Sequence, residues 1–249
     1  MKLLTLAKPV SRKALKPLGG VIYQGPSELD GEEIVVILTG IKGSSKNSKT
    51  GAMVQAWILR ADQNPVAAYQ SGADASICVD CMHRNHSCYV VVAQAPLQVY
   101  KAWGRGRYAD WTKAFPARKL AGRKVRLGAY GDPAAIPFSV WRRVFEQDIT
   151  GWTGYTHQWR RPEARRLRNY VMASVDTEAE AVEAQAQGWR TFRVRTPDAP
   201  TLGSEIVCPA SVEAGQKTTC EACGLCKGQK SQAHSIVIKS HGYRAKGFK

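Results

Sequence analysis

The chain has 249 residues, 44% of them hydrophobic and 22% charged, with a formal net charge of +16 from 36 Lys and Arg against 20 Asp and Glu. That length and composition describe one large or two modest globular domains, so its seven cysteines are not needed as staples for a missing core. The basic surplus excludes an acid-surfaced protein and makes polyanions, nucleic acid first, the expected partners.

In chain order, "MKLLTLAKPVSRKALKP" carries an apolar patch too short for a signal-peptide core, and no later stretch approaches a membrane span. The expected setting is reducing cytoplasm, without a membrane partner. Residues 1–31 read as a basic N-terminal extension. "EIVVILTG" reads as a strand, "IKGSSKNSKTG" as a polar loop, and "AMVQAWILRA" has spacing that suits a helix. After a first group of cysteines, "YVVVAQAPLQVYKAW" suits either a buried strand or a helix, and "GRGRYADWTKAFPARKLAGRK" reads as surface. From Lys124 the pattern is regular. "KVRLGAYGD" predicts a strand ending at Asp132, and "IPFSVWRRVFEQ" an amphipathic helix with Val140, Trp141 and Val144 on one side. "WTGYTHQW" predicts a strand with His157 near its end, "RPEARRLRN" a short basic helix, and "YVMASVD" a strand ending at Asp176. "TEAEAVEAQAQG" has a full helix signature, with Thr177 as N-cap, Glu180 closing a capping box and Gly188 as the stop. "WRTFRVR", "SEIVC" and "HSIVIKS" predict three more strands, and 242–249 a basic tail.

Strands alternating with helices predict an α/β fold of βα units over 32–241, as a partial barrel or an open sheet of parallel strands. In both, working residues collect at the carboxyl ends of strands. Those ends present Asp132, His157, Asp176, Arg195, Cys208 and Ser240.

The cysteines fall in two groups. Cys208, Cys220, Cys223 and Cys226 occupy "CPASVEAGQKTTCEACGLC", and Cys78, Cys81 and Cys88 occupy "CVDCMHRNHSC". Thiolates are soft donors, and a C-x-x-C pair grips one metal centre from a single turn. The ladder Cys220-Cys223-Cys226 with a remote Cys208 matches the ligand count of a 4Fe-4S cube, with zinc as the alternative. The first group supplies three thiolates. Either His83 or His86 completes a Cys3His zinc site, or the three hold a cube with one iron open to substrate or S-adenosylmethionine.

"NSKTG", the three-cysteine loop ending in "CYV", "YGDP", "GYTHQW" and the terminal cysteine ladder together resemble tailed-phage proteins akin to the gene product eighty-eight family, over most of residues 34–240. The resemblance implies a remote relation to radical S-adenosylmethionine barrel enzymes and residence in the host cytoplasm. The first group, C-x2-C-x6-C, departs from the C-x3-C-x2-C of those enzymes.

Further candidates follow. Gly43, Lys46, Ser48, Lys49 and Thr50 approximate a phosphate-binding loop, with Ser48 where the second glycine belongs, so a phosphate site at a helix N-terminus is the expectation and a nucleoside triphosphatase is not. His157 is a candidate proton shuttle or metal ligand, and Asp132 and Asp176 are candidate catalytic carboxylates that position a ligand or bind a metal ion with His157, or else turn and cap residues. Arg160, Arg161, Arg165, Arg166 and Arg168 form a candidate phosphate-contacting face, and Trp103, Trp111, Trp152 and Trp159 are either core residues or base-stacking rings. No H-x-H pair supports a replication nickase, although Tyr155 and Tyr170 are available nucleophiles. The leading expectation is an iron-sulfur protein acting on or near nucleic acid, in the manner of a radical S-adenosylmethionine enzyme. The rival is a non-catalytic DNA- or RNA-binding phage protein with structural centres.

Overall fold

The computed structural model describes residues 16–43, 47–229 and 233–248. An antiparallel meander opens the fold: β1 (Gly20–Pro26), β2 (Glu33–Thr39) and β3 (Val54–Arg60). Three helices follow: α1 (Pro65–Ser71), α2 (Ala75–Cys78) and α3 (Ala95–Gly104). The short β4 (Ala109–Asp110) then pairs with β1 at one sheet edge. The rest is βα in rhythm: β5 (Lys124–Tyr130), α4 (Phe138–Phe145), β6 (Gly151–Thr156), β7 (Met172–Val175), α5 (Glu178–Ala186), β8 (Thr191–Arg195), β9 (Glu205–Val207), α6 (Cys220–Cys223) and β10 (Ser235–Lys239). A 3₁₀ turn, Pro162–Leu167, stands between β6 and β7 where a short helix is expected.

The ten strands among the described residues form one sheet in the order β4-β1-β2-β3-β5-β6-β7-β8-β10-β9, parallel from β3 onward. The fold is thus an open, mostly parallel α/β sheet. From β3 to β8 each new parallel strand joins on the same side as the last, so right-handed crossovers put their helices on one face and leave the other free. Alternation along the strands divides the faces accordingly. Val125, Leu127, Ala173 and Val175 belong to the main core with Val140, Trp141 and Val144 of α4 and Ala181 and Ala184 of α5. Their strand neighbours Arg126, Tyr155, Ser174, Phe192, Val194 and Ile236 line a cavity of about 370 Å³ on the opposite face.

The helix anchors match the sequence. Trp141 is fully buried and its indole N–H donates to the Pro133 carbonyl at 2.9 Å. At α5 the Thr177 hydroxyl accepts the Glu180 N–H at 3.1 Å, while the Glu180 carboxylate reaches back one residue further than expected, to the N–H of Asp176 at 2.8 Å. Gly188 ends this helical stretch at φ +80°, a conformation that costs glycine least.

Four expectations need correction. "AMVQAWILRA" is β3, not a helix: its strand is buried on both faces, so the period-2 signal vanishes and the apolar spacing imitates a helix. The proposed N-terminal extension contains β1, whose Val21 and Ile22 are buried, so the domain begins before residue 32; residues 1–15 lie outside the described residues. The stretch read as surface between α3 and β5 buries Trp111 and Leu120. The C-terminal segment is docked, with Phe248 only 8% exposed and its ring stacked on His83 at 5.2 Å. Among the described residues no helix is long and apolar enough to cross a membrane.

Candidate metal centre

All seven cysteines line the same cavity, and all seven are free thiols. The two groups reach it by different routes.

The first group hangs from the strand ends. Cys78 closes α2, Val79 turns the chain with φ +43°, and a run of turns brings Cys81 and Cys88 back to the cavity. The loop is fastened to the sheet by the Asp132 N–H on the Ile77 carbonyl at 2.7 Å and the Gln158 amide on the Asp80 carboxylate at 2.9 Å. Arg84 braces it from within, bonding Asp74 at 2.8 Å and the carbonyls of Gly72 and Val79.

The second group lies against the cavity face of the sheet. Cys208 extends β9, its N–H on the Val237 carbonyl at 2.9 Å. Thr219 caps the one-turn α6 and Gly224, at φ +61°, ends it. The Cys220 and Glu221 N–H groups donate to the carbonyls of Lys49 and Thr50, and the Glu221 carboxylate accepts the Ala52 N–H at 2.7 Å. The Cys226 carbonyl takes the N–H of Gly154 on β6 at 3.1 Å. Arg190, 8% exposed, donates to the carbonyls of Leu225, Lys227, Gly228, Ala233 and His234. An irregular loop with so many unpaired carbonyls needs such a donor. Nothing in the sequence marks Arg190 or Arg84 for these duties.

Burial raises the pKa of six of the thiols, and neighbouring sulfurs add to it at Cys78, Cys81, Cys208, Cys220 and Cys226. Cys81 and Cys226 are pushed up to about 12, and Cys78 well above its ordinary value. Cys88, Cys208 and Cys220 move the same way. Several thiolates in one dry place need positive charge to hold them, which a metal centre supplies. Around the second group part of it is already present. Lys49 and Arg126 stand beside Cys220, and the Tyr155 hydroxyl bonds the Cys226 sulfur.

The sulfurs are not drawn together as ligands of one ion. Four thiolates at about 2.3 Å from zinc stand roughly 3.8 Å apart. Among the described residues, the set of three potential ligands whose donor atoms all lie within 4.8 Å of one another is His83, His157 and Asp176, and no three thiols reach that spacing.

The other candidates divide. His157 lines the cavity, its Nε2 3.5 Å from Cys81 Sγ, and burial lowers its pKa. Asp132 also lines the cavity, but Oδ1 accepts from the Ala134 N–H and the Thr156 hydroxyl and Oδ2 from the His157 N–H, so it serves as the post that aims His157. Asp176 bonds His83 Nε2 at 2.7 Å. With its Nδ1 on Ser87 as well, His83 has no nitrogen aimed at the thiols, and His86 is exposed and away from the cavity, so neither completes a Cys3His set.

The phosphate-loop expectation is overturned. The segment leads into β3, so no helix N-terminus follows, and the Asn47 side chain already occupies the Lys49 and Thr50 N–H groups at 2.9 and 3.1 Å. Gly43 and Ser48 are exposed and away from the cavity, and Lys46 lies outside the described residues. The loop's role is to seat α6. The arginine block is mostly committed within the fold: Arg160 pairs with Glu180 and Glu183, and Arg161 and Arg168 hold carbonyls, leaving Arg165 and Arg166 exposed. The four tryptophans belong to the main core or pack against it and are not stacking platforms. Arg195 points away from the mouth to Glu213, and Tyr170 stacks on Phe145.

No family model, curated protein or solved structure matches the chain.

Proposed function

We propose that this is an iron-sulfur enzyme of the phage type akin to the gene product eighty-eight family, with two cubes facing one reaction chamber. The observation that carries the reading is that both cysteine groups open on the same cavity, on the face of the sheet opposite α4 and α5. Cys208, Cys220, Cys223 and Cys226 suit a cube with one thiolate per iron, their sulfurs spread more widely than a single ion requires. Lys49 and Arg126 suit its net negative charge. Cys78, Cys81 and Cys88 would hold a second cube by three irons, leaving one iron to bind a ligand such as S-adenosylmethionine and pass it an electron.

The chain's own residues define the rest of the chamber. Thr153, Ser174, Phe192, Val194 and Ile236 make a mixed apolar and hydroxyl wall that limits water, while Asp132 holds His157 at the chamber wall beside Cys81. The net charge of +16 and the exposed Arg165 and Arg166 support a polyanionic substrate or neighbour, nucleic acid being the proposed class.

Anaerobic purification with iron and sulfide reconstitution tests the centres. The expected result is a brown protein with about 8 irons per chain, bleached by dithionite; colourless protein with stoichiometric zinc overturns the reading in favour of structural sites. The reduced protein is expected to cleave S-adenosylmethionine, and no cleavage removes the radical-enzyme part alone. Salt-dependent binding to single- and double-stranded DNA and RNA tests the partner. Arg165→Ala with Arg166→Ala is expected to shallow the salt slope by about 1 to 2.

A further inference from the structure

The geometry points to a mononuclear divalent-metal site built by His83, His157 and Asp176, distinct from both cysteine centres. Its donor atoms already converge. His83 Nε2 lies 2.7 Å from Asp176 Oδ1 and His157 Nε2 lies 3.9 Å from Asp176 Oδ2, so each carboxylate oxygen faces an imidazole nitrogen and all three residues meet within 4.8 Å. Two imidazoles and one carboxylate with open positions form a donor set suited to iron(II), zinc and their neighbours.

Each ligand is held from behind. Asp176 follows β7 and its N–H is fixed by the Glu180 carboxylate at the start of α5. His157 follows β6, its N–H on Asp132. His83 Nδ1 bonds the Ser87 hydroxyl at 2.7 Å, which leaves Nε2 as the ligating nitrogen and sets the ring plane. Phe248 stacks on the His83 ring and closes that side. Exposure is graded: Asp176 is 5%, His83 12% and His157 22% exposed. The site is therefore dry at the carboxylate, while His157 fronts the cavity, where a metal-bound water or substrate would sit. The carboxylates that bear on His157 are Asp176, Asp132 and Glu180, a local field that suits a dication.

Cys81 does not belong to this set. Its sulfur is 3.5 Å from His157 Nε2 but lies outside the group whose donors all meet within 4.8 Å, so it remains available to the thiolate centre. The inference stands without the iron-sulfur reading, since it uses no sulfur ligand.

Cobalt(II) is the probe. Titrated anaerobically into the chelator-treated full chain bearing Cys78→Ser and Cys88→Ser, it is expected to bind with one equivalent showing ligand-field bands without thiolate charge transfer, and to raise the melting temperature. His83→Gln or Asp176→Asn is expected to weaken this binding by more than about 100-fold, and Ser87→Ala by about 10-fold, with the second iron-sulfur chromophore retained. No such equivalent in the Cys78→Ser, Cys88→Ser chain, or binding of parental strength in both His83→Gln and Asp176→Asn, overturns the site and leaves a plain His83–Asp176 ion pair. Parental protein that stays colourless after iron and sulfide reconstitution, with cobalt binding intact, refutes the cysteine reading instead.

Discussion

The two cysteine loops solve one problem in different electrostatic settings. Both are irregular segments braced by an arginine, Arg84 in the first and Arg190 in the second, because their carbonyls have no strand or helix partners. The first loop sits at the strand ends near Asp132, Asp176 and an Asp74 paired with Arg84, with three thiols and Arg244 near Cys88. The second lies against the sheet beside Lys49 and Arg126, with four. A centre with four thiolates and nearby cations is charge-compensated and coordinatively closed, which suits a stable electron carrier or staple. A centre with three thiolates is coordinatively open, which suits the place where a substrate is bound.

Removing a brace should separate the loops most sharply. Arg190→Ala leaves five carbonyls without their donor and is expected to cost about 3 kcal/mol or more, read by denaturant unfolding, with loss of the second centre's iron before the first's. Next comes ligand removal. Cys208→Ala with Cys226→Ala is expected to halve the iron content and lower stability by about 2 kcal/mol, whereas Cys78→Ala with Cys88→Ala halves the iron, abolishes turnover and changes stability by less than about 1 kcal/mol. Equal stability losses in the two pairs would erase the proposed division of labour.

The pH response follows from the thiols. A raised pKa means the folded, metal-free protein holds its thiols protonated, so their stability contribution is whole below pH 9.0, the ordinary value, and is lost as pH climbs toward the folded values of about 12 for Cys81 and Cys226. The melting temperature of metal-free protein is therefore expected to fall above pH 9.0, and that of reconstituted protein, with thiolates already bound, to fall less. The smallest effect is electronic. Lys49→Met removes a cation beside the second group and is expected to shift that centre's reduction potential negative, leaving the first unmoved in redox-titrated spectra.

Much of this was legible along the chain. The strands from Lys124 onward, the α4 anchors Val140, Trp141 and Val144, and the Thr177 cap are local signals, and they stand in the fold as read, while the helix expected at Pro162 is a 3₁₀ turn. β3 was misread because burial on both faces removes the alternation that marks a strand. The glycine- and lysine-rich loop before it was misread for a related reason: a polar turn looks alike whether its backbone faces a phosphate or the one-turn helix α6, docked there from about 170 residues away. The arginine block looked like an external face because sequence reports the charge of Arg160 and not the Glu180 and Glu183 that pair with it.

The residue string alone determined which atoms are available: seven soft sulfurs in two groups, a basic surplus, and strand ends carrying Asp132, His157 and Asp176. Only the tertiary structure decided that both sulfur groups share one cavity, that Asp132 is a post while Asp176 meets two imidazoles, and that Arg84 and Arg190 serve as braces. The physical reason is that spacing within a motif is set by the local backbone, whereas convergence of distant motifs is set by sheet order and crossover hand, which no single segment encodes.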